Sequence, residues 1–471
     1  MKKFPSLTYL SSIDRNKGLR CLVFPNFQHE LKYLMTIQST LQPTAKSERI
    51  SALDIIRGIS LFGILLMNII NFGLYKAYFD PTNSGGATGW NLTVWWMNTL
   101  FFEGTMRGMF SMLFGAGILL FTGRSSENQQ GSAATDLFFR RLWWMLIFGI
   151  IHCYLLLWEG DVLYCYALVG MFAFSFRHLA PKQLITGTVV ILLLATAWNF
   201  NDYFQVKNTY EASVAASLKQ EKGQTLTKKE TAAIEKWTAK VKEAKASPEG
   251  LKKEMVARSK GYWSIVMHKA PDNMAAETFF VYRYNFLDTL AMMLWGMAFF
   301  KMGILSALKS RRFYLLMALI GYGIGIPVNY YEGWLPVSHH FSVESIYQSW
   351  LTYDLGRVAT TCGHVALIML FVKSGILPFL QKALAAVGQM AFTNYVSHSI
   401  ICNFIFLGYG LSMYGKLQRY ELYYIVVGIW IFQLIVSPIW LKYYRFGPLE
   451  WVWRSLTYWK MQPFSKVQPK K

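Results

Sequence analysis

The run LDIIRGISLFGILLMNIINFG, residues 53–73, decides the fold class of this chain. It opens with Asp54 and Arg57 and then continues for sixteen residues without a charge. A helix that crosses roughly 30 Å of hydrocarbon needs about 20 mostly apolar residues. This run predicts one such span near 55–74, and nine further stretches qualify: 105–122, 138–157, 161–178, 184–201, 285–304, 313–331, 353–372, 390–412 and 421–441. They are too long and too uniformly apolar for barrel strands, so the sequence predicts an all-α polytopic membrane protein with ten spans.

The composition agrees with a lipid-embedded chain. Hydrophobic residues make up 54% of the 471 and charged residues only 15%, and the mean hydropathy is +0.26. These values exclude an ordinary soluble enzyme and a disordered chain. The net charge of +21 would suggest nucleic acid as the partner of a soluble protein. Here Lys and Arg lie mainly between apolar runs, so the charge indicates topology, the bilayer is the expected partner, and no nucleic acid is expected.

The distribution of Lys and Arg predicts that both termini are cytoplasmic. On this basis 1–50 is a basic N-terminal segment, 51–201 holds spans one to five, 285–458 holds spans six to ten, and 459–471 is a basic tail. The residues from Met35 onward form an ordinary lead into a first span, which predicts that translation starts there. Residues 202–284 are rich in Lys and Glu, and the alternation of loops between the two sides of the membrane places them outside the cytoplasm. We expect this loop or insertion, including a helix over Thr227–Lys253, to be a solvated face rather than a binding site.

Polar residues inside predicted spans are the first candidates for a functional site, because lipid makes them costly. Arg57 and Asn68 lie three turns apart in the first span, and Asn71 follows. A purely structural role is the alternative for these residues. Asp54 and Arg57 could form a simple ion pair at the membrane edge, and Asn68 could bridge helices by hydrogen bonds. Glu103 and Arg107 are spaced i, i+4 and are expected to pair on one helix face near the outer mouth.

The densest polar group surrounds the turn between the third and fourth spans. His152 lies about two turns below it, and Glu159 and Asp161 lie in it. A His beside a carboxylate can act as a general base at neutral pH, although a lone His in a helix is often only a hydrogen-bonded core residue. Asn394 lies four residues before His398 in the ninth span and is a further polar candidate. The spacing of His residues gives no metal signal, and no HExxH, GxSxG, P-loop or GxGxxG motif is present.

Four motifs resemble a known family: LDIIRGISLFGILLMNI (53–69), HCYLLLWEGDVLYCYALVG (152–170), GQMAFTNYVSHSIIC (388–402) and RFGPLEWVWRSLTY (445–458). Together they resemble the YeiB family of bacterial inner-membrane proteins, and the last two resemble its C-terminal domain of unknown function, number 418. The resemblance covers most of residues 50–458 and implies an inner-membrane location. It groups the chain with two kinds of transmembrane acyltransferase, heparan-α-glucosaminide N-acetyltransferase and the O-antigen acyltransferases. Those enzymes take an acyl group from cytoplasmic acyl-CoA and deliver it to a sugar on the far side.

The chain departs from those acyltransferases at their catalytic His. The O-antigen enzymes carry that His eleven residues after an Arg, where this chain has Asn68 after Arg57. The heparan enzyme has its His about eleven residues further on, where this chain reads Tyr78-Phe79-Asp80. His152 is therefore the expected replacement base, with Glu159 or Asp161 as its orienting carboxylate.

The remaining candidates take roles that acyl transfer to a hydroxyl requires. Asn68 or Asn71 would stabilise the oxyanion. A basic cytoplasmic entrance with Arg57, Arg140 and Arg141 would suit the phosphates of acyl-CoA by charge. Other polar groups expected to contact substrate are Glu103, Arg107 and Asn394.

Two other functions remain open from the sequence. In a small-molecule transporter or channel, Asn68, Glu103, Arg107 and His152 would line a polar pathway. Transporters often contain an internal repeat, and the absence of a convincing one here favours an enzyme. The expected donor is acyl-CoA and the expected acceptor a glycan or lipid, with no resident cofactor or metal. A purely structural envelope protein explains the buried polar residues least well. The sequence does not define the oligomeric state.

Overall fold

The computed structural model describes residues 51–126 and 131–466, and over these residues the chain is helical without a β-strand. An isolated antiparallel bridge joins Tyr444 to Ser465. The predicted all-α class is thereby confirmed. The basic N-terminal segment, the expected start at Met35 and the last five residues of the tail lie outside the described residues.

Seventeen α-helices follow one another along the described chain. Their bounds are α1 Ser51–Gly73, α2 Trp90–Met97, α3 Thr105–Ser126, α4 Gly131–Tyr154, α5 Leu163–Ala173, α6 Pro181–Glu221, α7 Lys228–Ala244, α8 Pro248–Arg258, α9 Tyr262–Ala275, α10 Phe286–Lys301, α11 Arg311–Ser338, α12 Val343–Ser349, α13 Tyr353–Ser374, α14 Pro378–Gln389, α15 Ala391–Phe406, α16 Leu422–Tyr443 and α17 Pro448–Tyr458. Two π-helical segments, Asn98–Phe102 and Ala276–Asn285, lead toward α3 and α10.

Among the described residues, seven helical segments are long and apolar enough to cross a membrane. They are Ser51–Gly73, Trp90–Gly123, Ala134–Tyr154, Pro181–Glu221, Arg311–Ser338, Tyr353–Ser374 and Leu422–Tyr443. The other three predicted spans, 161–178, 285–304 and 390–412, contain the shorter helices α5, α10 and α15, of 11, 16 and 16 residues. Apolar composition alone therefore overestimated the length of these three helices.

Helix α1 lies at the centre of the bundle and α6 at its edge. In an apolar stretch of 18 residues within α1, 83% of the residues are buried, whereas in the corresponding stretch of α6 only 11% are buried. Helix α1 packs closely on α14 because glycines face each other there. A Cβ on Gly58 would lie 2.3 Å from the Leu384 carbonyl oxygen, and one on Gly388 would lie 1.9 Å from the Asp54 carbonyl oxygen. Small residues of this kind let helix backbones approach in an apolar solvent that offers no hydrophobic drive.

The segment 202–284 forms helices that are bonded to the bundle. The expected helix over Thr227–Lys253 is split into α7 and α8, because Ser247 caps α8 and Pro248 occupies its first turn. Further along, Asn273 donates a hydrogen bond to the Cys153 carbonyl at 2.8 Å. The N–H of Gly408 donates to the Arg258 carbonyl at 2.8 Å. The segment is therefore more than the solvated face that its composition indicates.

We expect Gly388→Val to disrupt folding. The added side chain meets backbone atoms of α1 that cannot move independently, and overpacking of this kind costs about 1–3 kcal/mol or more. Gly428→Val in α16 is the matched control, because a Cβ there meets nothing within 4 Å. The yield of monodisperse protein in detergent, measured by size-exclusion chromatography, should fall several-fold for Gly388→Val alone. Equal yields for the two variants would show that the α1–α14 contact is not needed for folding.

Candidate active site

His152 is held between a carboxylate and a hydroxyl. It lies in the last turn of α4, and its Nδ1 is 2.7 Å from Oδ1 of Asp161. Its Nε2 is 2.8 Å from Oγ of Ser399, which lies on α15. His152 and Ser399 are each 1% exposed, and the Asp161 side chain is 2% exposed. Three helices, α4, α5 and α15, thus meet at one buried line of hydrogen bonds.

The start of α5 fixes Asp161. Oδ2 of Asp161 accepts the backbone N–H of Tyr164 at 2.8 Å. A carboxylate in this position satisfies a free N–H of the first helical turn and is favoured by the helix dipole. An ionised carboxylate can only accept hydrogen bonds, so Nδ1–H of His152 donates to Asp161 and the Nε2 lone pair is left to accept the Ser399 O–H. The tautomer of His152 is therefore set by Asp161.

The turn between α4 and α5 covers this line of hydrogen bonds. The Tyr395 ring packs edge-on to His152 at 4.9 Å between centroids, and its hydroxyl accepts the N–H of Val162 at 3.2 Å. Trp158 stacks on Phe72 of α1 at 3.9 Å. The group is consequently shielded from bulk water in this conformation.

Glu159 does not orient His152. Its carboxylate instead lies 3.0 Å from Nζ of Lys269 on α9. Burial by itself would raise the pKa of the Glu159 carboxyl, but the nearby charges of Lys269 and Arg258 outweigh it and bring the pKa below its usual value. Burial lowers the pKa of the Lys269 ammonium, which also donates to the Leu157 carbonyl at 2.8 Å. Of the two carboxylates expected near His152, Asp161 is the one that contacts it.

The expected pair of Glu103 and Arg107 is replaced by other contacts. Gly104, between them, has φ +66° and interrupts the helix, so the two side chains do not share one helical face. Arg107 pairs with Asp288 of α10 at 3.1 Å, and Glu103 accepts a hydrogen bond from the Tyr353 hydroxyl at 3.4 Å.

Asp288 is shared with a second arginine of the bundle interior. Arg357 of α13 lies 2.6 Å from Asp288 and 3.1 Å from Asp354. Together with Arg107, these residues form a chain of four charges that links α3, α10 and α13.

Within the described chain, none of the remaining predicted site residues is hydrogen-bonded to His152, Asp161 or Ser399. Asn68 and Asn71 are half-buried on α1. Arg57 pairs with Asp54 at 2.8 Å, as its spacing predicts, and reaches the Gly388 carbonyl at 3.4 Å. The buried Asn394 donates its amide hydrogens to the Val387 carbonyl and to Ser437 Oγ, both at 3.1 Å. These contacts favour a structural role for Asn394 over substrate binding.

Ser399 and Asp288 were not foreseen from the sequence. Ser399 lies within the motif GQMAFTNYVSHSIIC, but a hydroxyl in an apolar helix carries no signal of its partner. Asp288 could have been found, because it is an acid at the start of an apolar run. Among the described residues, no three His, Cys, Asp or Glu side chains are grouped as a metal site would require.

Known proteins resemble the chain over most of its length. The family model described as "Protein of unknown function (DUF418)" matches residues 299–460. The chain is 30% identical to the uncharacterized protein YxaH of Bacillus subtilis (strain 168), over 91% of this chain and 99% of that protein. It is 28% identical to the uncharacterized protein YeiB of Escherichia coli (strain K12), over 87% and 96%. No solved structure matches it.

The fold and these matches place the chain in the class of helical membrane proteins that carry a C-terminal domain of unknown function 418. Within that class, the chain belongs to the family of YxaH and YeiB. The resemblance read from the four sequence motifs is thereby confirmed.

We expect Lys269→Met to destabilise the turn above His152. Removing one partner of a buried ion pair leaves an uncompensated charge and costs on the order of 3 kcal/mol, and the bond to Leu157 is lost as well. The melting temperature in detergent should fall by several degrees, and the added change Glu159→Gln should recover part of that loss. Lys260→Met, at an exposed position of the same segment, is the control. A melting temperature equal to that of the control would mean that the turn does not depend on this pair.

Proposed function

We propose that this protein is an acyltransferase of the bacterial cytoplasmic membrane. It would move an acyl group from cytoplasmic acyl-CoA to a hydroxyl of a glycan or lipid on the far side. The observation that carries the proposal is the line Ser399–His152–Asp161, with hydrogen bonds of 2.8 and 2.7 Å. A hydroxyl, an imidazole and a carboxylate in this order are the parts that many unrelated acyl-transfer enzymes use.

The chemistry of the first half-reaction follows from these contacts. Oγ of Ser399 attacks the thioester carbonyl while Nε2 of His152 takes the hydroxyl proton. The carbon–sulfur bond then breaks, and the CoA thiolate leaves with the proton from His152. Asp161 stabilises the imidazolium during this exchange and keeps Nε2 directed at Ser399. The product is an ester on Ser399.

The second half-reaction returns the serine. The acceptor hydroxyl loses its proton to His152 and attacks the ester carbonyl, and the proton passes to Ser399 Oγ as it leaves. Exposures of 1% for His152 and Ser399 suit this step, because a water-poor site favours transfer to a bound acceptor over hydrolysis. Asn68 or Asn71 on α1 would supply donors to the oxyanion.

The proposed topology has ten spans with both termini in the cytoplasm. The shorter helices α5, α10 and α15 would bring the number of spans to ten by crossing the membrane between the longer helices. Arg57, Arg140 and Arg141 then lie at the cytoplasmic end, where guanidinium groups suit the phosphates of CoA. The guanidinium of Arg141 lies 4.4 Å from the ring centroid of Trp453, which supports a fixed basic surface at that end.

The second candidate function is transport of a small molecule. The interior chain of Arg107, Asp288, Arg357 and Asp354 favours it, because buried ion pairs in membrane proteins often line a substrate pathway. Flux across liposomes without release of free CoA would support transport over acyl transfer.

We expect Ser399→Ala and His152→Ala each to lower CoA release from acyl-CoA by at least a hundredfold, because each removes a reacting group. The control is Ser397→Ala, two residues before Ser399 on the same helix, whose hydroxyl donates to the Asn394 carbonyl. The measurement is free thiol released by detergent-purified protein, with intact-mass detection of an acyl adduct.

The variants separate two mechanisms of transfer. An acyl adduct on the parent and on Ser397→Ala, absent from Ser399→Ala, supports the covalent route. Loss of activity in His152→Ala with full activity in Ser399→Ala would refute the covalent step and leave His152 as a base for direct transfer. Full activity in His152→Ala would refute the assignment of the site.

A further inference from the structure

A second candidate site lies where the loop after α1 meets the loop after α15. It is a pocket with a void of ≈ 570 Å³, its open mouth included. Three charged side chains line it, Arg419, Glu103 and Glu332, together with aromatic rings that include Trp95, Trp350 and Tyr353. His152, Asp161 and Ser399 are not among its lining residues. An inference about this pocket is therefore independent of acyl transfer.

The guanidinium of Arg419 carries unused donors. The side chain is 0% exposed, its Nη2 donates to the Ala77 carbonyl, and its Nε and Nη1 have no partner among the described residues. The backbone fixes its position, because the Arg419 N–H donates to the Gly85 carbonyl at 2.8 Å. Unpaired buried donors of a charged group are costly. An anion in the pocket would remove that cost.

The nearby acid does not neutralise Arg419. Asp80 is paired with Lys245 at 2.5 Å, and burial lowers the pKa of the Arg419 guanidinium to about 10. The charge on Arg419 is therefore poorly compensated within the chain, which agrees with its unused donors.

The other charged wall of the pocket is acidic. Oε1 of Glu332 is buried without a hydrogen-bond partner among the described residues, and Glu103 accepts hydrogen bonds from the hydroxyls of Tyr78 and, at 3.4 Å, of Tyr353. Both carboxylates flank the first turn of α13. A Cβ on Gly356 in that turn would lie 3.2 Å from Oε1 of Glu332. A buried carboxylate needs a cation or a donor, and an ammonium group supplies both.

We propose that this pocket binds a zwitterionic small molecule, with its anionic group on Arg419 and its ammonium group between Glu103 and Glu332. The aromatic rings of Trp350 and Tyr353 suit the ammonium, because aromatic faces attract cations. A purely anionic ligand would leave the two carboxyl groups without a cation. A purely cationic ligand would leave the donors of Arg419 unpaired.

The test uses four small probes on the full chain in detergent, with binding measured by calorimetry. O-phosphoethanolamine and β-alanine are zwitterions with a phosphate and a carboxylate, respectively; ethanolamine and inorganic phosphate are the separate halves of the first. We expect at least one zwitterion to bind at least tenfold more tightly than either half. The better of the two zwitterions identifies which anionic group Arg419 prefers.

Variants test the two ends of the pocket separately. Glu332→Gln keeps the shape of the side chain and should remove most of the preference for a zwitterion over inorganic phosphate. Arg419→Lys keeps a charge and should weaken zwitterions and phosphate together. Glu344→Gln, on the neighbouring α12 and outside the pocket lining, should change nothing. Absence of binding by all four probes, or an unchanged preference in Glu332→Gln, would overturn the proposal.

Discussion

The carboxylate of Asp288, shared by Arg107 and Arg357 at 3.1 and 2.6 Å, shows the constraint on which the rest of the bundle depends. An apolar interior offers no water to solvate a charge, so a buried charge is costly unless a partner lies beside it, and for Asp288 those partners lie on other helices. The partners of Asp288 tie α10 to α3 and α13. The same demand, met by Asp161 at the start of α5, brings His152 and Ser399 together. The polar residues that the apolar chain can least tolerate thus determine how its helices meet.

Close helix packing makes these contacts between helices possible. Gly58 and Gly388 let α1 and α14 touch through their backbones, which holds α1 at the centre. The two sites then lie on different faces of α1. Ile70 lines the open pocket, whereas Phe72, about 200° further around the helix, supports the Trp158 ring that covers His152. A central helix therefore separates a closed polar group from an open one.

The sequence predicts local features of this structure well and long-range contacts poorly. The apolar runs identify the helices, and the spacing of Asp54 and Arg57 predicts their pair. His152 and Asp161 could be proposed as partners because they are only nine positions apart, across one tight turn. Ser399 is 247 positions from His152, and nothing in its neighbourhood encodes that distance. The expected pair of Glu103 and Arg107 failed for a local reason, since a single glycine with φ +66° ends the helical register on which i, i+4 spacing depends.

The segment 202–284 gains importance from its contacts with the turn above His152. Lys269 holds both Glu159 and the Leu157 carbonyl, and Tyr262 donates to the Leu155 carbonyl at 2.6 Å. That same turn carries Asp161 and the Trp158 ring. Because the line Ser399–His152–Asp161 is almost fully buried, the proposed reaction requires this turn or the helices beneath it to move. The bonds from α9 oppose such a movement. The polar segment, whose composition indicates only solvated charges, therefore holds in place the turn that covers the buried histidine.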